Sequence, residues 1–359
     1  MNFRLNEEQR QLQHAIRRIV GDPDRHRQRR AVVDGAANYD TTLWCELCEF
    51  GTFGIVVPED LGGSGLKLVE LALVAEVLGA AGAPVPFLGQ ALATIAVLHG
   101  GDDDQRARWL PGLASGRISA TVALSEDADS WGPADWRIAA ADEHITGRKI
   151  NVPSCEHPYL LIVGLEGGGL GVVESTAPGL QINAMDGIDL TRPLSSVEFD
   201  RTPVVVLTHG QAAARRMMDA ACVLLAADAF GGASRLLEMT RDYALTRETF
   251  GAVLAERQAI KHQLANVALE VEPTRGLFWF AAYAFDDWTE RASEAALLAK
   301  ALTSEVYLES ARMCTELHGG IGFTWEFDAH IWLKRAMFDF AWGATPDHLF
   351  GRAADLAEW

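Results

Sequence analysis

The chain has 359 residues, of which 49% are hydrophobic, so it is long enough for two or three packed units with a large core. Its formal net charge of −18 argues against nucleic-acid binding, which draws mainly on a positive surface. The five cysteines are scattered through apolar contexts, and Cys45-x-x-Cys48 has no second pair, so neither a disulfide framework nor a metal site is expected. We expect no stretch to approach the hydropathy of a membrane span and no signal peptide, and place the protein in the cytoplasm.

The first region, residues 1–118, is predicted to be helical. Asn6 followed by Gln9 is typical of a capping box, and apolar residues from Leu12 to Val20 recur at helical spacing. The glycines and proline of 50–66 break any helix, and we interpret this stretch as a structural turn. Residues 68–82 and 88–99 are then predicted to be buried helices, followed by a capped helix from Asp102.

The second region, residues 119–206, changes to short apolar runs separated by Gly, Pro and Asp. Such runs are typical of strands, so we predict a compact antiparallel barrel or sandwich between two helical regions.

The third region, residues 207–359, is predicted to be a helical bundle. Its first helix is apolar nearly all round from Met217 to Leu237, which indicates burial. Asp228 is an exception there, because an isolated buried carboxylate costs several kcal/mol unless it is paired or protonated. Two explanations stay open: Asp228 pairs with an arginine or caps a broken helix, or its pKa is raised and it acts as a general base.

A short turn follows this helix and combines a cation, a hydroxyl, an aromatic ring and a glycine: Arg247-Glu248-Thr249-Phe250-Gly251, with Gln258 seven residues later. A planar guanidinium binds phosphate oxygens in two places, and glycine lets a backbone approach closely, so the turn suits a diphosphate. An ordinary helix–helix turn with a surface arginine is the alternative.

A second glycine-rich turn, Glu316-Leu317-His318-Gly319-Gly320-Ile321-Gly322-Phe323-Thr324, lies further along the chain. It lacks the lysine of a P-loop. Together, the two turns resemble those of the acyl-CoA dehydrogenase family, and the resemblance covers nearly the whole chain. Gly320 to Glu326, with His330 and Lys334-Arg335, looks like the branch found in actinobacterial lipid and sterol breakdown.

The resemblance implies a mainly helical α+β fold: an N-terminal helical domain, a middle antiparallel β domain and a C-terminal four-helix bundle that mediates dimerisation. It also implies FAD as cofactor, an acyl-CoA substrate, and electron-transfer flavoprotein or another electron acceptor. Residues that fall where the family contacts the flavin are Arg247, Thr249, Phe250, Gln258, Glu316, Gly319 and Gly320, largely across a subunit interface, with Ser125 and Ser154 in the β region.

The family's catalytic carboxylate is missing from both of its usual positions. Most members place a glutamate where this chain has Trp342, and a few place it where this chain has Ala221. Asp228, Asp339 and Asp347 could substitute, although Asp228 lies about 10 Å along the helix from Ala221. The tryptophan that stacks on the flavin ring is also replaced, within Asn151-Val152-Pro153-Ser154.

Three hypotheses follow from this pattern. The first is a subunit of a heteromeric FAD-dependent dehydrogenase, in an α2β2 assembly with a homologous chain that supplies the base. The second is a self-sufficient homo-oligomer that uses Asp228 as base. The third is a flavin-free CoA-ester-binding or scaffold protein.

Overall fold

The structure is a computed structural model, and it describes residues 4–127, 130–153 and 158–358. The N-terminal region consists of helices α1 (Glu7–Val20), α2 (Arg25–Val33), α3 (Thr41–Glu49), α4 (Leu68–Ala81), α5 (Phe87–Gly100) and α6 (Asp103–Ala114). Asn6 and Gln9 form the predicted capping box, and Asp102 and Gln105 form another at the start of α6. These predicted helices are therefore confirmed.

The turn after α3 is shaped by glycines. Gly62 has a φ of +86°, and a Cβ at Gly63 would lie 2.0 Å from the Val57 carbonyl oxygen. Only glycine fits so close to a neighbouring backbone. The turn is structural, as the sequence predicts.

The middle region holds two four-stranded sheets. Its strands are β1 (Ala120–Ala123), β2 (Ala140–Ala141), β3 (His144–Pro153), β4 (Leu160–Leu165), β5 (Gly169–Glu174), β6 (Leu180–Met185), β7 (Leu194–Pro203) and β8 (Val205–Val206). The sheet orders are β1-β4-β5-β8 and β2-β3-β7-β6. The pairs are antiparallel except for β1 and β4, which run parallel, a departure from the predicted antiparallel pattern.

The C-terminal region is helical apart from a small hairpin, β9 (Glu248–Thr249) and β10 (Ala252–Val253). Its helices are α7 (Gly210–Thr246), α8 (Gln258–Asp287), α9 (Thr289–Leu317), α10 (Ala329–Ala341) and α11 (Pro346–Leu356). Helices α7 to α10 pack together as the predicted bundle, and the N-terminal helix α4 packs along α7. The mainly helical fold with a β region in the middle is confirmed.

Helix α7 is the core helix of the protein. By length and hydropathy it could cross a membrane, but 83% of its most apolar 18-residue window is buried inside the protein. The expectation that no segment reaches the hydropathy of a membrane span is therefore wrong. The reason is that α7 is surrounded by α4, α5, α8, α9 and α10, so apolar residues are needed on all its faces.

Candidate functional site

The turn after α7 presents an unpaired cation. Helix α7 ends at Thr246, and the hairpin β9–β10 turns at Phe250 and Gly251, whose φ angles are +51° and +77°. The Arg247 side chain is exposed and its guanidinium makes no hydrogen bond or ion pair with a described residue. Phe250 is 98% exposed. The Arg257 guanidinium lies 5.6 Å from the centre of the Phe250 ring, whereas the Arg247 guanidinium is available to a ligand or to another chain.

The second glycine turn lies beside the first. Helix α9 ends at Leu317, and Gly319 takes a φ of +65°. Tyr243, in the last turn of α7, donates its hydroxyl to the His318 carbonyl oxygen at 3.3 Å, and the two rings lie 4.7 Å apart. The structure therefore brings together two turns that are about 70 residues apart in the chain.

Backbone at the second turn is open to a ligand. A Cβ placed on Gly319 or Gly320 would meet no atom within 4 Å. Gln258 begins α8 and is exposed, with its amide 3.4 Å from His262 Nε2. Glu316 is exposed on the last turn of α9, so its carboxylate can turn away from an anion. A guanidinium, a nearby hydroxyl and free glycine backbone suit a phosphate group.

The β-region serine is not free. Ser125 is buried, and its hydroxyl donates to the Asp127 carbonyl oxygen at 2.5 Å and lies 3.4 Å from Ser130 Oγ. Ser154 falls outside the described residues. The hydroxyl of Ser125 is thus already used within its own loop.

An indole occupies position 342, one of the two positions at which the resemblance leads us to expect a catalytic glutamate. Trp342 ends α10, and its Nε1–H donates to the Asn151 carbonyl oxygen at 2.9 Å. Its ring lies 5.3 Å from that of Trp131 and stacks with that of Phe338 at 6.1 Å. These three rings line a cavity of about 290 Å³ between the β region and the bundle.

A buried lysine fixes the backbone of the same turn. Lys300 is fully buried in α9 and donates its Nζ–H to the Ala344 carbonyl oxygen at 2.6 Å. Burial lowers the pKa of Lys300 to about 8. Ala344 takes a φ of +95°, which a residue with a Cβ rarely adopts, and the lysine bond helps to hold it there.

Asp228 is buried in a network of ion pairs. Arg335 donates from Nε to Asp228 Oδ1 at 2.9 Å and from an Nη to Oδ2 at 2.6 Å, and Arg192 also contacts Asp228. Burial acts to raise the pKa of Asp228, but the two guanidinium groups hold it below its usual value. A general base needs a free lone pair and a pKa near the working pH, so this geometry favours the structural interpretation.

The other two carboxylates differ from each other. Asp339 is fully buried and accepts from Arg192 at 2.5 Å, and burial raises the pKa of Asp339 to about 8. Asp347 is exposed in the first turn of α11. An arginine partner was one of the two explanations that the sequence left open for Asp228, and the structure identifies Arg192 and Arg335 as the partners. A buried aspartate in an apolar helix signals a partner without saying which arginine supplies it.

Comparison with known proteins identifies the family. The profile for "Acyl-CoA dehydrogenase, N-terminal domain" matches residues 6–117, and that for "Acyl-CoA dehydrogenase, C-terminal domain" matches residues 208–345. The chain belongs to the acyl-CoA dehydrogenase family. This family is an oxidoreductase family whose cofactor is FAD.

Individual relatives agree with this assignment. The chain is 30% identical over 334 residues to the acyl-CoA dehydrogenase IpdE2 of Mycolicibacterium smegmatis, covering 92% of this chain and 93% of IpdE2. A solved structure, the "Tcur3481-Tcur3483 steroid ACAD G363A variant", matches with 32% identity and a TM-score of 0.90, over 98% of each chain. Butyryl-CoA dehydrogenase from Megasphaera elsdenii has a TM-score of 0.88 at 19% identity, which shows the shared fold. The predicted actinobacterial type is thus confirmed.

Proposed function

We propose that this chain is a subunit of an FAD-dependent acyl-CoA dehydrogenase that introduces an α,β double bond into a CoA thioester. In this proposal it completes the flavin site of a homologous partner chain, and the partner supplies the catalytic base. The observation that carries the proposal is the unpaired Arg247 guanidinium on an exposed turn, far from the buried interior of its own chain.

The position of the turn favours a ligand shared with another chain. Arg247 directly follows the end of α7, 19 residues beyond Asp228, which corresponds to about 28 Å along the helix axis. A flavin ring in this chain's own interior would lie far from Arg247. The exposed ring of Phe250 fits the same interpretation, because an aromatic side chain that is 98% exposed gains most from being covered by another protein surface.

The residues at the two turns fit the diphosphate and adenosine part of FAD. Arg247 and Thr249 would hold phosphate oxygens, Gln258 would donate an amide hydrogen, and the backbone of Gly319 and Gly320 would approach the ligand closely. Phe250 would cover the bound group and Glu316 would face solvent. FAD, when bound, supplies the hydride acceptor of the reaction.

The base is assigned to the partner because the carboxylates of this chain are unsuited to the task. Asp228 is held by two arginines, Asp339 is fully buried and lines neither of the two interior cavities beside Arg192, and Asp347 lies in solvent. The ion pairs of Asp228 count against a self-sufficient enzyme that uses it as base. A lipid or sterol side chain is proposed as the acyl group, in keeping with the steroid enzyme to which this chain is 32% identical. We also propose electron-transfer flavoprotein as the acceptor and a cytoplasmic location.

The proposal is tested by the flavin content of the purified protein. The chain is produced alone and together with a homologous dehydrogenase chain encoded beside it, and bound FAD is measured per chain by absorbance. We expect FAD only in the mixed complex, at about one per pair of unlike chains. A full flavin complement on the chain alone would contradict the proposal. No flavin in either preparation would favour the scaffold protein.

Arg247→Ala in the mixed complex makes the test specific. Hydrogen bonds to charged groups contribute about 1.5–3 kcal/mol, so we expect FAD affinity to fall about ten- to hundredfold. Arg241→Ala is the matched control, because Arg241 is an exposed arginine one helical turn and a half earlier, paired with Asp242. Equal effects of the two substitutions would contradict a direct role of Arg247.

A further inference from the structure

The interior space beside Asp228 is almost filled. The cavity there has a volume of about 20 Å³ and is lined by Ala75 and Leu78 of α4, Leu224 and Leu225 of α7, and the Arg192, Asp228 and Arg335 side chains. That volume holds about one water molecule. Leu224 to Asp228 lie one to two turns beyond Ala221, where some family members place the base, so an acyl chain directed along α7 would enter this space.

We propose that the Arg192–Asp228–Arg335–Asp339 network is an ionic plug that closes the acyl chamber of this chain from within. The inference rests on the proposed function, in which this chain's own site performs no chemistry. It goes further by naming the residues that prevent an acyl group from entering. Arg192 is the central residue, because its guanidinium contacts both Asp228 and Asp339.

The plug is anchored in three separate parts of the fold. Arg192 comes from the segment between β6 and β7, Asp228 from α7, and Asp339 and Arg335 from α10. Arg335 also donates to Thr191 Oγ1 at 2.8 Å and to the Ala83 carbonyl oxygen at 3.3 Å. Because the four side chains come from three different elements, no single rotamer change opens the chamber.

Arg192 also separates two spaces. It lines both the nearly filled space and the larger cavity of about 290 Å³ beside Trp342. Its guanidinium lies 4.7 Å from the centre of the Phe338 ring, which forms a wall of the larger cavity. The larger cavity beside Trp342 therefore stays open, while the space on the other side of Arg192 is closed.

The charges make the plug difficult to open. Two arginines face three buried carboxylates, since Asp189 Oδ2 lies 3.9 Å from Arg192 Nε. Burial raises the pKa of Asp339, which lowers the cost of holding three carboxyl groups beside two guanidinium groups. An entering acyl chain would have to separate these pairs and leave buried charges without partners, which is strongly unfavourable.

The test compares the affinities of hexanoyl-CoA and free CoA for the chain produced alone, by isothermal titration calorimetry. We expect the wild-type chain to bind both within about twofold of each other, because the acyl group gains no apolar surroundings. In Asp228→Ala/Arg335→Ala, which removes one charge of each sign, hexanoyl-CoA should bind at least tenfold more tightly than CoA. Each methylene moved from water into an apolar chamber is worth about fourfold in affinity.

The control is Arg29→Ala/Asp328→Ala, another ion pair between elements, 2.8 Å long, whose two residues line neither cavity. This control should leave the ratio of the hexanoyl-CoA affinity to the CoA affinity at its wild-type value. A tenfold preference for hexanoyl-CoA in the wild-type chain, or no gain in the opened variant, would overturn the plug. If that variant does not fold, Arg192→Ala/Asp339→Ala opens the chamber with the Asp228–Arg335 pair intact and is judged by the same ratio. Neither result depends on FAD or Arg247, so the proposed function is tested separately.

Discussion

Single residues in this chain take their roles from their surroundings. Asp219 and Asp228 both lie on α7 and both are buried, but their environments differ. Asp228 is held ionised by two arginines, whereas Asp219 accepts one hydrogen bond, from Ser293 Oγ at 2.7 Å. Burial raises the pKa of Asp219 to about 6. The pKa of the same residue type is therefore shifted in opposite directions at two positions of one helix.

We expect Asp219→Asn to stabilise the fold at neutral pH and not at low pH. Since the folded-state pKa of Asp219 is raised, the folded chain holds its proton more tightly than the unfolded chain, and stability falls as pH rises from about 4 to 6. Each pKa unit is worth about 1.4 kcal/mol, so the gain at pH 7 is up to about 3 kcal/mol. Urea unfolding of the variant and the wild type at pH 4 and pH 7 measures this difference in the free energy of unfolding.

Asp242→Asn is the matched control, because Asp242 is an exposed aspartate on the same helix. It should change the free energy of unfolding little at either pH. An equal effect of Asp219→Asn at pH 4 and pH 7 would show that the buried carboxyl is not the source of the pH dependence.

At the scale of elements, α4 and α7 pack with their backbones in contact. A Cβ at Gly231 would lie 1.9 Å from the Glu76 carbonyl oxygen, and one at Gly79 would lie 2.2 Å from that of Asp228. The glycine pair 231–232 lies inside the continuous helix α7, so Asp228 does not cap a broken helix there. The purpose of the glycine pair is close helix packing, which places Asp228 against the N-terminal region.

We expect Gly231→Ala to destabilise the protein by about 1–3 kcal/mol, because helices α4 and α7 must move apart to make room for the added methyl group. Gly276→Ala is the matched substitution: it lies inside α8, and its Cβ would meet no atom within 4 Å. There, alanine should stabilise by about 0.5–1 kcal/mol through its higher helix propensity. Chemical denaturation of both variants gives their free energies of unfolding relative to the wild type. A Gly231→Ala chain as stable as the wild type would contradict the close packing of α4 and α7.

At the scale of the whole molecule, a net charge of −18 does not prevent local anion binding. Salt at physiological concentration screens exposed charges beyond about 8 Å, so a ligand at the Arg247 turn responds mainly to the groups next to it.

An exposed apolar surface elsewhere on the bundle is typical of a face that contacts another chain. Leu269, on α8, is 69% exposed and borders a groove between α7 and α8.

We expect Leu269→Glu to reduce the mass of the assembled protein in light scattering without changing its circular dichroism, because a charge would be buried where bundles meet. Leu66→Glu is the control, since Leu66 is 45% exposed but lies in the N-terminal region. An unchanged mass for Leu269→Glu would exclude this face from the assembly.

The sequence by itself determined the fold, the family and the two glycine turns. Their signals are local: the capping box at Asn6, the apolar periodicity of the helices, and the combination of Arg247, Thr249 and Phe250 in one turn are written in neighbouring residues. The roles of the individual residues at these turns stay predictions.

Only the tertiary structure decided what surrounds Asp228 and Trp342. Arg192 and Arg335 lie 36 and 107 positions from Asp228, and Asn151 lies 191 positions from Trp342. Whether a buried carboxylate is a base or a member of an ion pair depends on which distant side chains packing brings to it. No local pattern specifies that pairing, because it follows from how α7, α10 and the β6–β7 segment fit together in three dimensions.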